Sequence, residues 1–150
     1  MRTPLFILTL SATVSHHQVQ AQGVGAGVSD SSRLQGTWTM VSGAADGVPM
    51  PSTYLTSMKR VLSGNVLTVT RGGRMYFQAT IRLDPSHTPK TIDYHMTAGF
   101  TTGAVQLGIY ELTGDTVRFC FGAANAARPA EFRTVPGDGR TLSAWVATRP

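Results

Sequence analysis

The chain of 150 residues contains one cysteine, Cys120, and two lysines, Lys59 and Lys90. A lone cysteine rules out an intramolecular disulfide, so packing and hydrogen bonds must hold the fold. Charged residues make up 14% of the chain, little more than half the usual ~25%. That composition is too apolar for a disordered tail, and the length is too small for a multidomain enzyme. Long apolar runs are missing as well. The longest, Leu5 to Val14, is too short for a membrane-spanning helix, and no second one follows. There is no Gly-x-Ser-x-Gly elbow, no phosphate loop and no His-Glu-x-x-His pair, so no catalytic motif argues for an enzyme. No period of 20–50 residues recurs, which excludes solenoids and propellers.

What is abundant is threonine, with 20 residues, and glycine, with 16. With few Lys and Glu, this favours strands and tight turns over helices. The N-terminal stretch has its own logic. Arg2 precedes the apolar run, and Val19-Gln20-Ala21 supplies small residues at a cleavage site. Residues 1–21 are therefore read as a secretory signal peptide, and the protein as exported, periplasmic or extracellular, with no transmembrane segment in the mature chain. Removing them takes Arg2 away and leaves 12 basic and 8 acidic side chains, a net charge of +4. The basic residues are spread out rather than clustered, which argues against a nucleic-acid partner. Residues 22–32 are Gly- and Ser-rich and read as a flexible leader, and residues 33–150 form the folded domain.

Within that domain, short strand patterns alternate with turn signals. Met75, Phe77, Ala79, Ile81 and Leu83 alternate with polar residues, the mark of a strand with one buried face. Gly64-Asn65, Gly72-Gly73 and Gly114-Asp115 mark hairpins. Glu131-Phe132-Arg133 is read as a further short strand. One short helix is expected from Ser52 or Thr53, with Tyr54, Leu55, Met58 and Leu62 on one face. About eight sequential strands with one apolar face must close or pair to bury it, and an up-and-down antiparallel β-barrel does this.

Eight short motifs stand in order along the domain: Leu34-Gln35-Gly36-Thr37-Trp38, Asp46-Gly47-Val48-Pro49, Leu83-Asp84-Pro85, Thr91-Ile92-Asp93, Gly108-Ile109-Tyr110-Glu111-Leu112, Gly114-Asp115-Thr116, Arg118-Phe119-Cys120-Phe121 and Arg128-Pro129. Together they resemble an uncharacterised lipocalin-like domain family of exported bacterial, planctomycete-type proteins. The resemblance implies an all-β, lipocalin-like barrel with no established activity. Gly36-Thr37-Trp38 is also similar to the Gly-x-Trp start of the first lipocalin strand. By that similarity Trp38 closes the barrel and packs under a late arginine, Arg133 or Arg149.

Met40, Leu67, Phe77, Ile81, Tyr94, Tyr110 and Phe119 are the candidates to line a pocket for a small apolar ligand. They could equally fill the interior, because an eight-stranded barrel is just wide enough for either. The leading functional expectation is non-enzymatic binding of such a ligand, with no cofactor. A second is a cell-envelope interaction module that uses the barrel as scaffold. A third is a weak hydrolase or metal site around Asp93, His95 and Glu111, set against cross-strand pairing of these acids with Arg82, Arg118 or Arg133. The oligomeric state is left open.

Overall fold

The computed structural model describes residues 27–149. The signal-peptide reading of residues 1–21 and the leader's residues 22–26 lie outside them. In chain order the elements are α1 (Asp30–Arg33), β1 (Gly36–Ala45), β2 (Val48–Pro49), α2 (Ser52–Ser57), β3 (Met58–Ser63), β4 (Val66–Arg71), β5 (Arg74–Asp84), β6 (Lys90–Ala98), β7 (Val105–Thr113), β8 (Thr116–Phe121) and β9 (Thr141–Ala147). The strands pair antiparallel in the order β2-β1-β3-β4-β5-β6-β7-β8-β9, and β1 also pairs with β9. The protein is thus a closed, up-and-down, eight-stranded β-barrel, with β2 a hairpin extension of β1. Closure removes every long sheet edge, which an open sheet of this size would expose.

The hairpins follow the local chemistry. Gly64, Gly72, Gly73 and Gly114 all adopt positive φ, as tight two-residue turns require. The strands alternate: β3 reads buried, exposed, buried along its whole length, with Met58, Arg60 and Leu62 inside. The helix α2 stops at Ser57, and its N-cap is Pro51 rather than Ser52 or Thr53. Met58 and Leu62 are therefore strand residues, not part of a helical face. Their spacing of four fits both periods, and the strand period wins because β3 is claimed by β1 on one side and β4 on the other. Residues 131–133 are not a strand either. They belong to the irregular connection 122–140, which lies over the outside of the barrel and buries Ile109, Cys120 and Pro129 there. The Cys120 thiol donates to the Arg133 carbonyl, and burial pushes its pKa up, so it is a packed thiol rather than a poised one.

Part of the stretch read as a leader is helical, because α1 begins at Asp30. Ser29 caps α1 through its side chain, and Asp30 accepts hydrogen bonds from Lys90 Nζ (2.7 Å) and Tyr110 Oη (2.8 Å). These bonds tie the end of the presumed leader to β6 and β7. Burial alone would raise the Asp30 pKa, but the bonds from Lys90 and Tyr110 outweigh it and hold the carboxyl below its usual range.

The two halves of the barrel differ. At the end where β1 begins, Leu34, Trp38, Leu62, Leu67, Ile92, Tyr110 and Val117 are each at most 2% exposed and fill the interior. Trp38 Nε1 donates to the Leu34 carbonyl (3.0 Å) and the Tyr110 hydroxyl to Asp30, which satisfies the polar side-chain atoms of that plug. At the other end lie the β1–β2 hairpin, α2, the β4–β5 turn and the β6–β7 loop. There the interior is not filled.

Candidate functional site

The unfilled half is a cavity of about 290 Å³. Its deeper wall is Met40 of β1, Met58 and Arg60 of β3, Val69 of β4, Phe77 of β5, Tyr94 and Met96 of β6, Phe119 of β8 and Trp145 of β9. Nearer the mouth stand Met50, Tyr54, Tyr76, Phe100 and Phe121. Strand alternation explains the wall: each of the deeper residues holds an inward position. Arg60, for example, lies between Trp38 and Val69 across the pairs β1–β3 and β3–β4.

A local exception shapes the mouth. Gly108 on β7 faces inward, and a Cβ there would lie 2.5 Å from the Phe121 ring. The missing side chain lets that ring lean across β7 onto Tyr94, with centroids 4.1 Å apart. Phe100, in the loop after β6, touches the cavity while being 98% exposed, so it stands at the rim.

The lining carries one charge, Arg60; Thr101, Gln106, Thr141 and Ser143 are its neutral polar members, and the rest is mainly apolar or aromatic. Arg60 is 2% exposed, and its Nε and Nη2 atoms have no hydrogen-bond partner among the described residues. The guanidinium stacks over Phe119, 4.3 Å from the ring centroid, and lies 5.8 Å from that of Trp145. Tyr94 is its polar neighbour. Burial presses the Arg60 pKa down and the Tyr94 pKa up, and the Arg60 charge opposes the latter shift. No Asp or Glu lines the cavity among the described residues. A charge desolvated in this way, with aromatic faces and one phenol hydroxyl but no carboxylate to compensate it, is costly to keep.

Four of the seven expected lining residues do line the cavity: Met40, Phe77, Tyr94 and Phe119. The other three do not. Leu67 is fully buried in the packed half, opposite Leu62 and Ala79. Ile81 packs against the core further down β5. Tyr110 reaches the closed end, where Asp30 holds its hydroxyl. All three face inward, but below the cavity floor. Trp38 does close the barrel. Arg133 does not pack on it: its side chain is 67% exposed on the outer connection and lies 4.0 Å from Glu131. Arg149 instead pairs with Asp115 at the surface. The arginine inside the barrel is Arg60, from the second strand of the barrel wall rather than a late one.

The Asp93, His95 and Glu111 set is not brought together. All three are on the outer face. Asp93 pairs with Arg128 Nη2 at 2.7 Å, and Glu111 accepts from Arg118 Nε at 3.0 Å across β7–β8. Asp93 stands opposite Leu107, so Glu111 is four residues further along β7, roughly 13 Å away at strand spacing. Among the described residues no cluster of three or more His, Cys, Asp or Glu is placed to hold a metal ion.

No protein-family model matches the chain, and neither a curated protein nor a solved structure matches it.

Proposed function

We propose that the protein is an exported, non-enzymatic, lipocalin-like binder of a small, largely apolar ligand held in the open half of the barrel. The observation that carries this reading is the cavity itself, about 290 Å³ with walls of Met, Phe, Tyr and Trp. Its volume lies at the lower edge of the range of small-molecule sites, roughly 300–1,000 Å³. The packed half supports the same reading. With Trp38, Leu62 and Leu67 supplying the core, the upper half is spared from having to be filled. Gly36-Thr37-Trp38 at the closed end and the up-and-down closure support the lipocalin-like description, and the signal-like residues 1–21 support export.

The test is saturable binding of a neutral naphthylamine fluorophore, read by its emission. Wild type should bind it, and Met96→Trp, which fills the cavity from β6, should not, with its strand circular dichroism unchanged. Wild type that shows no saturable emission, or a filled variant that binds equally well, would overturn the reading.

One observation favours the interaction-module alternative. Phe100 is fully exposed at the rim, and Met75 and Tyr76 beside it on the β4–β5 side are 58% and 38% exposed. If that rim serves a partner rather than ligand entry, Phe100→Ser leaves fluorophore binding rates untouched.

A further inference from the structure

We infer that the ligand is an amphipathic anion, a small carboxylate with an apolar chain, and that Arg60 is the counter-ion for its head group. This rests on the cavity being the ligand site, and goes further by assigning the ligand a charge and an orientation.

The argument begins with how the other arginines are satisfied. Arg118 turns Nε and Nη2 onto a single carboxylate oxygen of Glu111, and Arg128 spends both terminal nitrogens on Asp93 and the Gly108 carbonyl. These are surface or half-buried groups that water could also have served. Among the described residues Arg60 is the most deeply buried arginine, and its Nε and Nη2, the same edge that Arg118 gives to a carboxylate, are without a partner there. Buried polar groups are almost always hydrogen-bonded, and a buried guanidinium is ordinarily paired. Arginine does not escape by losing its proton.

The surroundings narrow the choice of partner. The wall offers aromatic rings, thioethers, Gln106 and neutral hydroxyls, among them Tyr94 beside Arg60, but no carboxylate among the described residues. Ser143 Oγ already accepts from Trp145 Nε1 at 2.9 Å. The charge complementary to Arg60 must therefore come with the occupant. A guanidinium edge matches a carboxylate in planar, two-pronged geometry, which favours a carboxylate over a bulkier anion. The position of Arg60 then sets the orientation. Along β3 it lies between Met58, which lines the cavity, and Leu62 of the packed half, so an acidic head enters first and rests on the cavity floor. The apolar chain points back along Met40, Met58, Met96 and Phe77 toward Phe100. Stacking on Phe119 and the neighbouring Tyr94 hydroxyl, with no carboxylate to fix Nε and Nη2, leave the guanidinium able to shift toward the head group.

The experiment compares octanoate, octan-1-ol and octylammonium on wild type, Arg60→Met and Arg60→Lys by isothermal titration calorimetry. The neutral fluorophore serves as control for the cavity. Wild type is expected to bind octanoate at least about tenfold more tightly than octan-1-ol, and octylammonium least, in keeping with one charge-assisted contact. Arg60→Met should erase the preference for octanoate while octan-1-ol binds as before, and Arg60→Lys should keep part of it. Equal affinity of wild type for octanoate and octan-1-ol overturns the inference without touching the cavity reading, and needs no variant to fold. The same holds if Arg60→Met keeps the preference, or if the fluorophore binds and octanoate does not. If the fluorophore fails as well, the cavity reading falls with it.

Discussion

Replacing Arg60 by methionine should make the ligand-free protein more stable, although the change deletes a large, fully packed side chain. Taking an ion out of water costs several kcal/mol even after relaxation, and a hydrogen-bonded partner normally offsets that cost. Arg60 is 2% exposed and has no such partner among the described residues for Nε or Nη2. What offsets part of the cost is stacking, together with the neighbouring Tyr94 hydroxyl. A desolvated cation–π contact contributes about 2 kcal/mol, and the Phe119 contact at 4.3 Å is close enough for it, while Trp145 at 5.8 Å adds less. The balance leaves Arg60 unfavourable by roughly 1–3 kcal/mol relative to an apolar side chain of similar length, within the range found when buried ions are replaced. For a domain of this size that is on the order of 5–10 °C in Tm. Urea unfolding of wild type and Arg60→Met, without ligand, measures the difference. Saturating octanoate should then reverse the order, because only wild type gains binding free energy through the charge. An Arg60→Met protein that is less stable than wild type by more than about 1 kcal/mol, ligand-free, would refute the reasoning. Arg60 would then be a structural residue whose contacts outweigh its desolvation.

Three further outcomes follow from the same structure. Asp30→Asn should cost about 1–3 kcal/mol at neutral pH, since Asp30 accepts from Lys90 and Tyr110 at a site 10% exposed. Because the folded pKa of Asp30 is depressed, this stability is complete above the ordinary value of 3.8 and is lost as pH falls through the lower folded value. The gap between wild type and variant in urea midpoints should therefore narrow below that pH, and a gap that widens there would count against the pairing. Gly108→Ala should destabilise by about 1–3 kcal/mol despite the better strand propensity of alanine, because the added methyl meets the Phe121 ring at 2.5 Å. A neutral or stabilising result in thermal unfolding would contradict that contact. Phe100→Ala should alter the on- and off-rates of the neutral fluorophore together in stopped-flow, leaving its affinity within about twofold, a change of only about 0.4 kcal/mol. A large loss of affinity would place Phe100 in the bound state instead of at the entrance.

Much of the barrel was legible because its signals are local. The glycine turns at Gly64, Gly72 and Gly114 and the alternation in β5 from Phe77 onward act over a few residues, and the structure keeps them. At Met75, expected inside, an irregularity in the β4–β5 register leaves the side chain 58% exposed and brings Tyr76 to the cavity. Arg60 was missed for a specific reason. Met58 and Leu62 are four apart, which suits a helix turn as well as two strand steps, and the helical reading hid the arginine that stands between them on the same inward face. Leu67, Ile81 and Tyr110 illustrate a different limit. Alternation tells which face a residue occupies, but not how far along the barrel axis it lies, and depth is what separates the packed plug from the cavity. That depth is set by register across eight strands, including the irregularity after Met40, and no single segment carries it. Asp30 lay in a Ser- and Gly-rich stretch whose four-residue helix is too short to show a period, and its anchors, Lys90 and Tyr110, are distant in the chain. The outward acids, by contrast, were half legible. Glu111 meets Arg118 by cross-strand register, whereas Asp93 faces Arg82 in register yet pairs with Arg128 from the outer connection.

The methionine methyls offer the sharpest view of the barrel interior. Met40, Met58 and Met96 line the cavity, Met75 lies 58% exposed outside, and the Trp38 indole reports on the packed half. A titration of methyl-labelled protein with octanoate, followed by NMR, should give saturable shifts at Met40, Met58 and Met96, the methionines of the deeper wall, with Met75 and the Trp38 Nε1–H unmoved. Shifts at Met75 alone, or none at the three interior methyls, would contradict a barrel that is packed in one half and ligand-binding in the other.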